Sequence, residues 1–370
     1  MNDLALLPAW YAEAGDYVFT DEVPTVDYFS FLPPEIRPQA VPVSRKDFSH
    51  SHNAFSRMEA APWGLSPQSI HLYNDLKERY GLDLDVPLWR EDYVTLSGRQ
   101  TAALCLEEIR RLLPGQTLPP QPLFFSEANE IEAYMHQYPG RYVLKTPFSS
   151  SGRGLLWLSE SGLSVADTNW IKGALRKQGS VSLEQAWEKK QDMGLEFYVN
   201  AEGKVNYEGL SVFHTNEKGA YKGNVLQSQS SLWKQLESYV SPEMLKQVQK
   251  AVTQAVEYTY GGCYVGYLGV DMLIYKAGDG SFAIHPCVEV NLRYTMGLVA
   301  IRLFEQFLSD NATALFHIQF EARPHQALAY HQEMMATHPI KLTDGKLQKG
   351  YLSLCPVTTE THYIAYILAT

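Results

Sequence analysis

The chain has 370 residues, 45% hydrophobic and 19% charged, enough to bury a core and to divide into two or three lobes. Its 31 Lys and Arg against 41 Asp and Glu give a formal net charge of -10, the wrong sign for a protein whose main partner is nucleic acid or an anionic membrane surface. No basic stretch followed by an apolar run of signal-peptide length opens the sequence, and no segment approaches about 18 apolar residues, so a globular, cytoplasmic protein is expected. The four cysteines, Cys105, Cys263, Cys287 and Cys355, form no CxxC pair and read as reduced core thiols.

Residues 1–65 are dense in Pro, Tyr and Phe without a sustained strand or helix period, and read as irregular structure packed over something else. Ser66 and Pro67 suit the N-cap and first position of a helix in which Ile70, Tyr73, Leu76 and Tyr80 recur at helical spacing until Gly81. A second helix is predicted over residues 100–113, followed by a proline-rich connection at 118–122. Beyond it strands and helices alternate: a strand at 123–126, a helix to Gln137, and a strand at 141–146. A helix over 170–177 precedes strands at 181–184, 195–200 and 205–214, and an amphipathic helix over 241–260 leads into a last strong pair of strands. In the tail, residues 351–356 and 363–368 read as strands. The pattern is mixed α/β, with no internal repeat.

The last pair is a hairpin: residues 264–275, the turn Ala277-Gly278-Asp279-Gly280-Ser281, and residues 282–292. Folding about Gly280 sets Asp271 opposite Glu289, to within one residue of register. Directly opposed positions have Cβ atoms roughly 5 Å apart, and like charges there are destabilising unless neutralised. A divalent cation is the natural neutraliser. Asn291 shares the face of Glu289 and adds a neutral oxygen, and hard oxygen donors of this kind suit magnesium. Val270, Leu273, Ile274, Val288 and Val290 mark a buried sheet, where unpaired carboxylates are costly. Asp271 alone would read as an ordinary solvated acid; the set does not. Arg293 could pair with the acids or contact a phosphoryl oxygen.

Residues 141–154 read Arg-Tyr-Val-Leu-Lys-Thr-Pro-Phe-Ser-Ser-Ser-Gly-Arg-Gly: a strand ending in Lys145, a Ser/Gly loop, then an apolar strand over 155–158. Lys145 would place a compact charge at a phosphate while the loop's N–H groups wrap the others. Alone, such a loop is an ordinary connection, and it is no Walker A motif because the lysine precedes the glycines. Lys218 and Lys222 are candidates for a γ-phosphate contact, although solvated surface lysines look the same in sequence. Ser49-His50-Ser51-His52 reads as exposed polar chain. His285 lies four residues from Glu289, too far along an extended strand to share its ion.

Taken in order, Lys145 with its Ser/Gly loop, Leu183-Glu184-Gln185-Ala186, Gly194-Leu195-Glu196-Phe197, Gly269-Val270-Asp271 and Glu289-Val290-Asn291 resemble the ATP-grasp superfamily over residues 96–300. The resemblance implies an α/β (α+β) fold, the ATP-grasp fold, in which two α/β lobes clasp ATP. It implies a pre-ATP-grasp-like region over residues 1–95, an ATP-grasp domain over 96–310 with a hinge near 184–187, and a C-terminal extension over 311–370. ATP and two Mg2+ ions are the implied cofactors, with Asp271, Glu289 and Asn291 as metal ligands. Lys145 would hold the α- or β-phosphate, and Ser149, Ser150, Ser151, Gly152 and Gly154 would form a mobile lid. The backbone of Glu184, Gln185 and Ala186 would read adenine, and Glu196 the ribose hydroxyls.

Members of the family usually carry an earlier phosphate-binding lysine; in Leu96-Ser97-Gly98-Arg99 that position holds Arg99, whose guanidinium can do the same work in altered geometry. Residues 187–193 are longer and more charged than the usual hinge, and the apolar strand that usually opens the N-terminal domain is missing, so a trimmed or rearranged domain is expected. The implied activity is that of an ATP-dependent carboxylate–amine ligase. ATP would phosphorylate the carboxylate of a small-molecule or peptide substrate to an acylphosphate, which an amine or similar nucleophilic acceptor then attacks. Arg99, Lys145 and Arg293 would stabilise charge, with no side-chain nucleophile. A small-molecule kinase, and a nucleotide-binding protein without turnover, are the alternatives the sequence leaves open.

Overall fold

The computed structural model describes residues 2–21, 28–50, 55–149, 154–160, 162–216, 219–323 and 325–370. The chain forms two compact units. One is built from Glu91–Tyr221 and Trp233–Thr295; the other gathers Met1–Arg90, Lys222–Leu232 and Met296–Thr370.

The first unit carries every motif quoted above except Lys222 and the histidine pair, and it contains two antiparallel sheet regions. In the smaller, the strands run in the order Leu123–Phe125, Val181–Gln185, Tyr142–Lys145, Leu155–Leu158. Helices Ala128–Gln137 and Val165–Gln178 bury Ile131, Met135, Ile171 and Ala174 against Leu144, Leu158, Val181 and Leu183. The second of these helices begins earlier than its apolar spacing predicts, because Ser164 and Asp167 form a reciprocal cap at its start.

In the larger region the order is Phe282–Asn291, Gly266–Lys276, Glu188–Val199, Val205–Thr215. Helix Pro242–Tyr260, capped by the Ser241 hydroxyl, buries Leu245, Val248, Val252, Ala255 and Val256 at helical spacing and packs on these strands. Helix Arg99–Leu112 packs beside it, with Cys105, Leu106 and Ile109 fully covered. The charged stretch 187–193 is mostly strand: Glu188–Val199 is one continuous element, in which Lys189 pairs with Asp192 and Lys190 with Glu188. Local polarity hid it, and pairing with Gly266–Lys276 supplies what the sequence pattern lacks.

The second unit is assembled from segments far apart in sequence. Its strands run Tyr221–Leu226, Ala314–Phe320, Tyr363–Ala369, Lys346–Ser353, Lys341–Thr343, each antiparallel to the next. The N-terminal residues are short 3-10 turns and a parallel pair, Tyr17–Phe19 with Val41–Val43, and Trp10 is sealed against Phe29 and Phe307 with its indole N–H donated to the Leu354 carbonyl at 2.6 Å. Among the described residues no helix is long and apolar enough to cross a membrane. The cysteines are free, but Cys263 is only partly buried, so the core-thiol reading holds for Cys105, Cys287 and Cys355 alone.

Candidate active site

The hairpin forms in the expected register. Asp271 stands opposite Glu289, and Gly269 opposite Asn291. On its other side Gly266–Lys276 sets Asp271 against Gly194 and Gly269 against Glu196, while the next strand sets Ser211 beside Gly194. Two transverse rows result, Ser211-Gly194-Asp271-Glu289 and Glu196-Gly269-Asn291, two residues apart along each strand and therefore on one face of the sheet. Gly194-Leu195-Glu196 and Gly269-Val270-Asp271 share a Gly-apolar-acid pattern, and antiparallel pairing lays each acid over the other strand's glycine. A Cβ at Gly269 would lie 2.6 Å from Glu196 Oε2 and 2.7 Å from Thr295 Cγ2, so only glycine leaves room for that carboxylate.

Glu196 is buried, and both its oxygens accept hydroxyl hydrogen bonds, from Thr295 at 2.6 Å and Ser211 at 2.9 Å. Burial pushes its carboxyl up to about 7, against those two bonds. Burial likewise raises Asp271 to about 8, helped by the Glu289 and Glu196 charges and opposed by Arg293. Asn291 donates its Nδ2 to Asp271 Oδ2 at 3.1 Å, leaving its amide oxygen as the neutral donor of the group. Among the described residues no three His, Cys, Asp or Glu side chains form a ready cage for a metal. Two opposed carboxylates and an amide oxygen are instead a partial shell, the kind that magnesium completes with water and phosphate oxygens, and the raised Asp271 carboxyl fits a missing positive charge.

Lys145 ends its strand with Nζ donating to Glu184 Oε2 at 2.5 Å, and both side chains are close to nine-tenths buried. The two lie diagonally across paired strands, Lys145 opposite Ser182 and Val143 opposite Glu184, and the Ser182 hydroxyl reaches the other Glu184 oxygen at 3.2 Å. Burial works to raise the Glu184 carboxyl, but the Lys145 ammonium, with Arg99 and His285 adding to it, holds the group below the usual carboxylate range. Arg99 opens its helix, only 7% exposed. Its Nε donates to the Thr146 carbonyl at 2.9 Å, and its Nη2 to Ser149 Oγ at 3.4 Å and Glu289 Oε2 at 3.3 Å. One guanidinium thus ties the end of the lysine strand to the hairpin acid.

Ser149 and Gly154 frame the expected lid: the Thr146 N–H donates to the Gly154 carbonyl at 3.0 Å, and a Cβ at Gly154 would meet Thr146 Oγ1 at 2.2 Å. Ser150, Ser151, Gly152 and Arg153 lie outside the described residues, as do Lys218 and His52. Lys222 is exposed on Tyr221–Leu226, in the other unit. Of the expected adenine-reading segment, Ala186 donates its N–H to the Arg141 carbonyl at 2.9 Å, within the pairing with the lysine strand. By alternation Glu184 also turns its backbone that way. Gln185 therefore presents its N–H and C=O at the opposite edge, where the Leu123–Phe125 strand stops at its pairing of Leu123 with Leu183.

Sequence reasoning did not place Glu196 on the face of Asp271 and Glu289, pair Glu184 with Lys145, or find the hydroxyls of Ser211 and Thr295. The repeated Gly-apolar-acid pattern was the available signal for the first. No local signal existed for the rest, since each depends on contacts between segments apart in sequence.

No family model matches the sequence, and no curated protein matches it significantly. Solved structures match its fold. The biotin carboxylase domain of 2-oxoglutarate carboxylase from Hydrogenobacter thermophilus, crystallised with MgADP, ADP and bicarbonate, is 14% identical and superposes with a TM-score of 0.52 over 91% of this chain and 77% of its own. A biotin carboxylase–βγ-ATP complex from Campylobacter jejuni is 8% identical, with a TM-score of 0.52 over 90% of this chain and 77% of its own.

Proposed function

We propose that this chain, which has the ATP-grasp fold, is a magnesium- and ATP-dependent ligase that joins a substrate carboxylate to a nucleophilic acceptor. The observation that carries the reading is the face holding Asp271, Glu289 and Asn291, with Arg99 bonded to Glu289 and Lys145 buried in the same unit. Asp271, Glu289 and Asn291 would hold magnesium, which when bound supplies charge neutralisation to a nucleotide's phosphate chain. Glu196, both of whose oxygens are engaged within that face, belongs with the acids rather than with a ribose.

The side chains do the rest. Lys145 keeps one N–H on Glu184 and turns another of its three donors to an α- or β-phosphate oxygen. Arg99 and Arg293 stabilise charge that spreads over the transferred phosphoryl group, Gln185 offers adenine one backbone donor and one acceptor, and the Ser149–Gly154 loop excludes water from an acylphosphate. The carboxylate oxygen attacks the γ-phosphorus as ADP leaves. The acceptor's lone pair then displaces phosphate, and its proton passes to solvent.

The test is ADP release with magnesium against a panel of carboxylates paired with amines, with bicarbonate first because it is the anion bound in the Hydrogenobacter domain. The reading predicts ADP and phosphate in equal amounts with a new amide or carbamate. A stable phosphorylated product without condensation would show a kinase instead.

A further inference from the structure

His285 takes no part in the site as described, yet it is the odd residue on the hairpin. It lies on Phe282–Asn291 opposite Leu273, next to the shift in register that separates Leu273 from Asp271, and it is 5% exposed. Its Nδ1 is one of three buried side-chain nitrogens or oxygens, among the described residues, without a hydrogen-bond partner. The charges that act on it are those of Glu184 and Lys145, and Glu184 in turn feels His285. Glu184 is not that partner: its oxygens accept from Lys145 and Ser182, and no bond from Nδ1 reaches them. A buried polar nitrogen left unpaired is costly, and a Phe or Leu here would avoid the cost, so the position calls for a partner the chain itself does not supply, a ligand atom or a water.

The inference rests on the ATP reading above. Gln185 presents a single backbone N–H and a single C=O, which match the N1 acceptor and the 6-amino donor of adenine. The neighbouring acceptor on the base edge, N7, then needs a donor from a side chain. We propose that His285 is that donor: its neutral imidazole, carrying hydrogen on Nδ1, bonds adenine N7 and makes His285 a positioning residue for the base. Burial keeps the ring neutral, helped by the Lys145 ammonium and opposed by the Glu184 carboxylate, while the lysine serves the phosphates.

Calorimetric titration with Mg·ATP and Mg·7-deaza-ATP tests this, since the second nucleotide differs in lacking N7. Wild type should bind ATP about tenfold more tightly than 7-deaza-ATP. His285→Phe should bind the two equally, and His285→Gln, which keeps an N–H donor, should retain part of the preference. With saturating ATP, kcat of the Phe variant should stay within about threefold of wild type while KM rises about tenfold. Equal affinities in wild type would overturn the proposal without any variant, and so would a preference that survives in His285→Phe. Failure of wild type to bind either nucleotide would overturn the ATP reading and the inference with it.

Discussion

Glu289→Gln is expected to lower magnesium-dependent ATP turnover by about a thousandfold or more, with the fold intact. The substitution keeps shape and removes one of two opposed charges. In wild type that charge raises Asp271 and draws the Arg99 guanidinium to 3.3 Å, as expected of a carboxylate placed to meet cations. Losing a single preorganised charge-stabilising contact typically costs about 100- to 1,000-fold, and a ligand that fixes the metal together with its phosphate contacts should reach the upper end. Stability should move little. Relief of the Asp271–Glu289 repulsion opposes the weaker Arg99 contact, and the glutamine oxygen still accepts from Arg99, so a net change within about 1 kcal/mol is expected. Asn291→Ala should behave similarly. Turnover within threefold of wild type in both variants, measured over a magnesium titration alongside thermal unfolding, would remove the metal assignment.

Lys145→Met should instead damage stability and nucleotide binding together. It leaves the Glu184 carboxylate buried without its cation, a loss of about 3–5 kcal/mol in chemical denaturation. The double variant Lys145→Met with Glu184→Gln should recover most of that stability, because the Ser182 hydroxyl still serves a neutral partner. Affinity for ATP should not recover. A lost charge-assisted bond to phosphate corresponds to roughly 10- to 100-fold weaker binding in both variants. Wild-type affinity in the stabilised double variant would make Lys145 a purely structural cation.

The hairpin was legible because its signals are local. A Gly-rich turn between two apolar runs fixes the register, and the register fixes which acids meet. The same locality explains what was missed. Lys145 and Glu184 are 39 residues apart and meet only because their strands pair. Helix Met296–Phe307 did carry a readable period, with Arg302, Glu305 and Gln306 breaking its apolar run and Arg302 pairing with Glu305 one turn on, but the sequence reading passed over it. The irregular start of the chain makes sense only beside its end: Trp10 donates to Leu354 and Tyr28 to Ser353, contacts more than 300 residues apart in sequence. Strand Glu188–Val199 was half hidden because its charged beginning is satisfied by ion pairs rather than by alternation.

The overall fold is shared with the biotin carboxylases, whereas the function proposed here stands on one sheet face. Calorimetric binding of a non-hydrolysable ATP analogue, with magnesium and then with EDTA, tests that face most directly. The account predicts saturable binding that weakens at least tenfold when magnesium is removed, and a Glu289→Gln variant whose affinity no longer depends on magnesium. Binding of equal strength with and without the ion, or a magnesium response unchanged in Glu289→Gln, would contradict it.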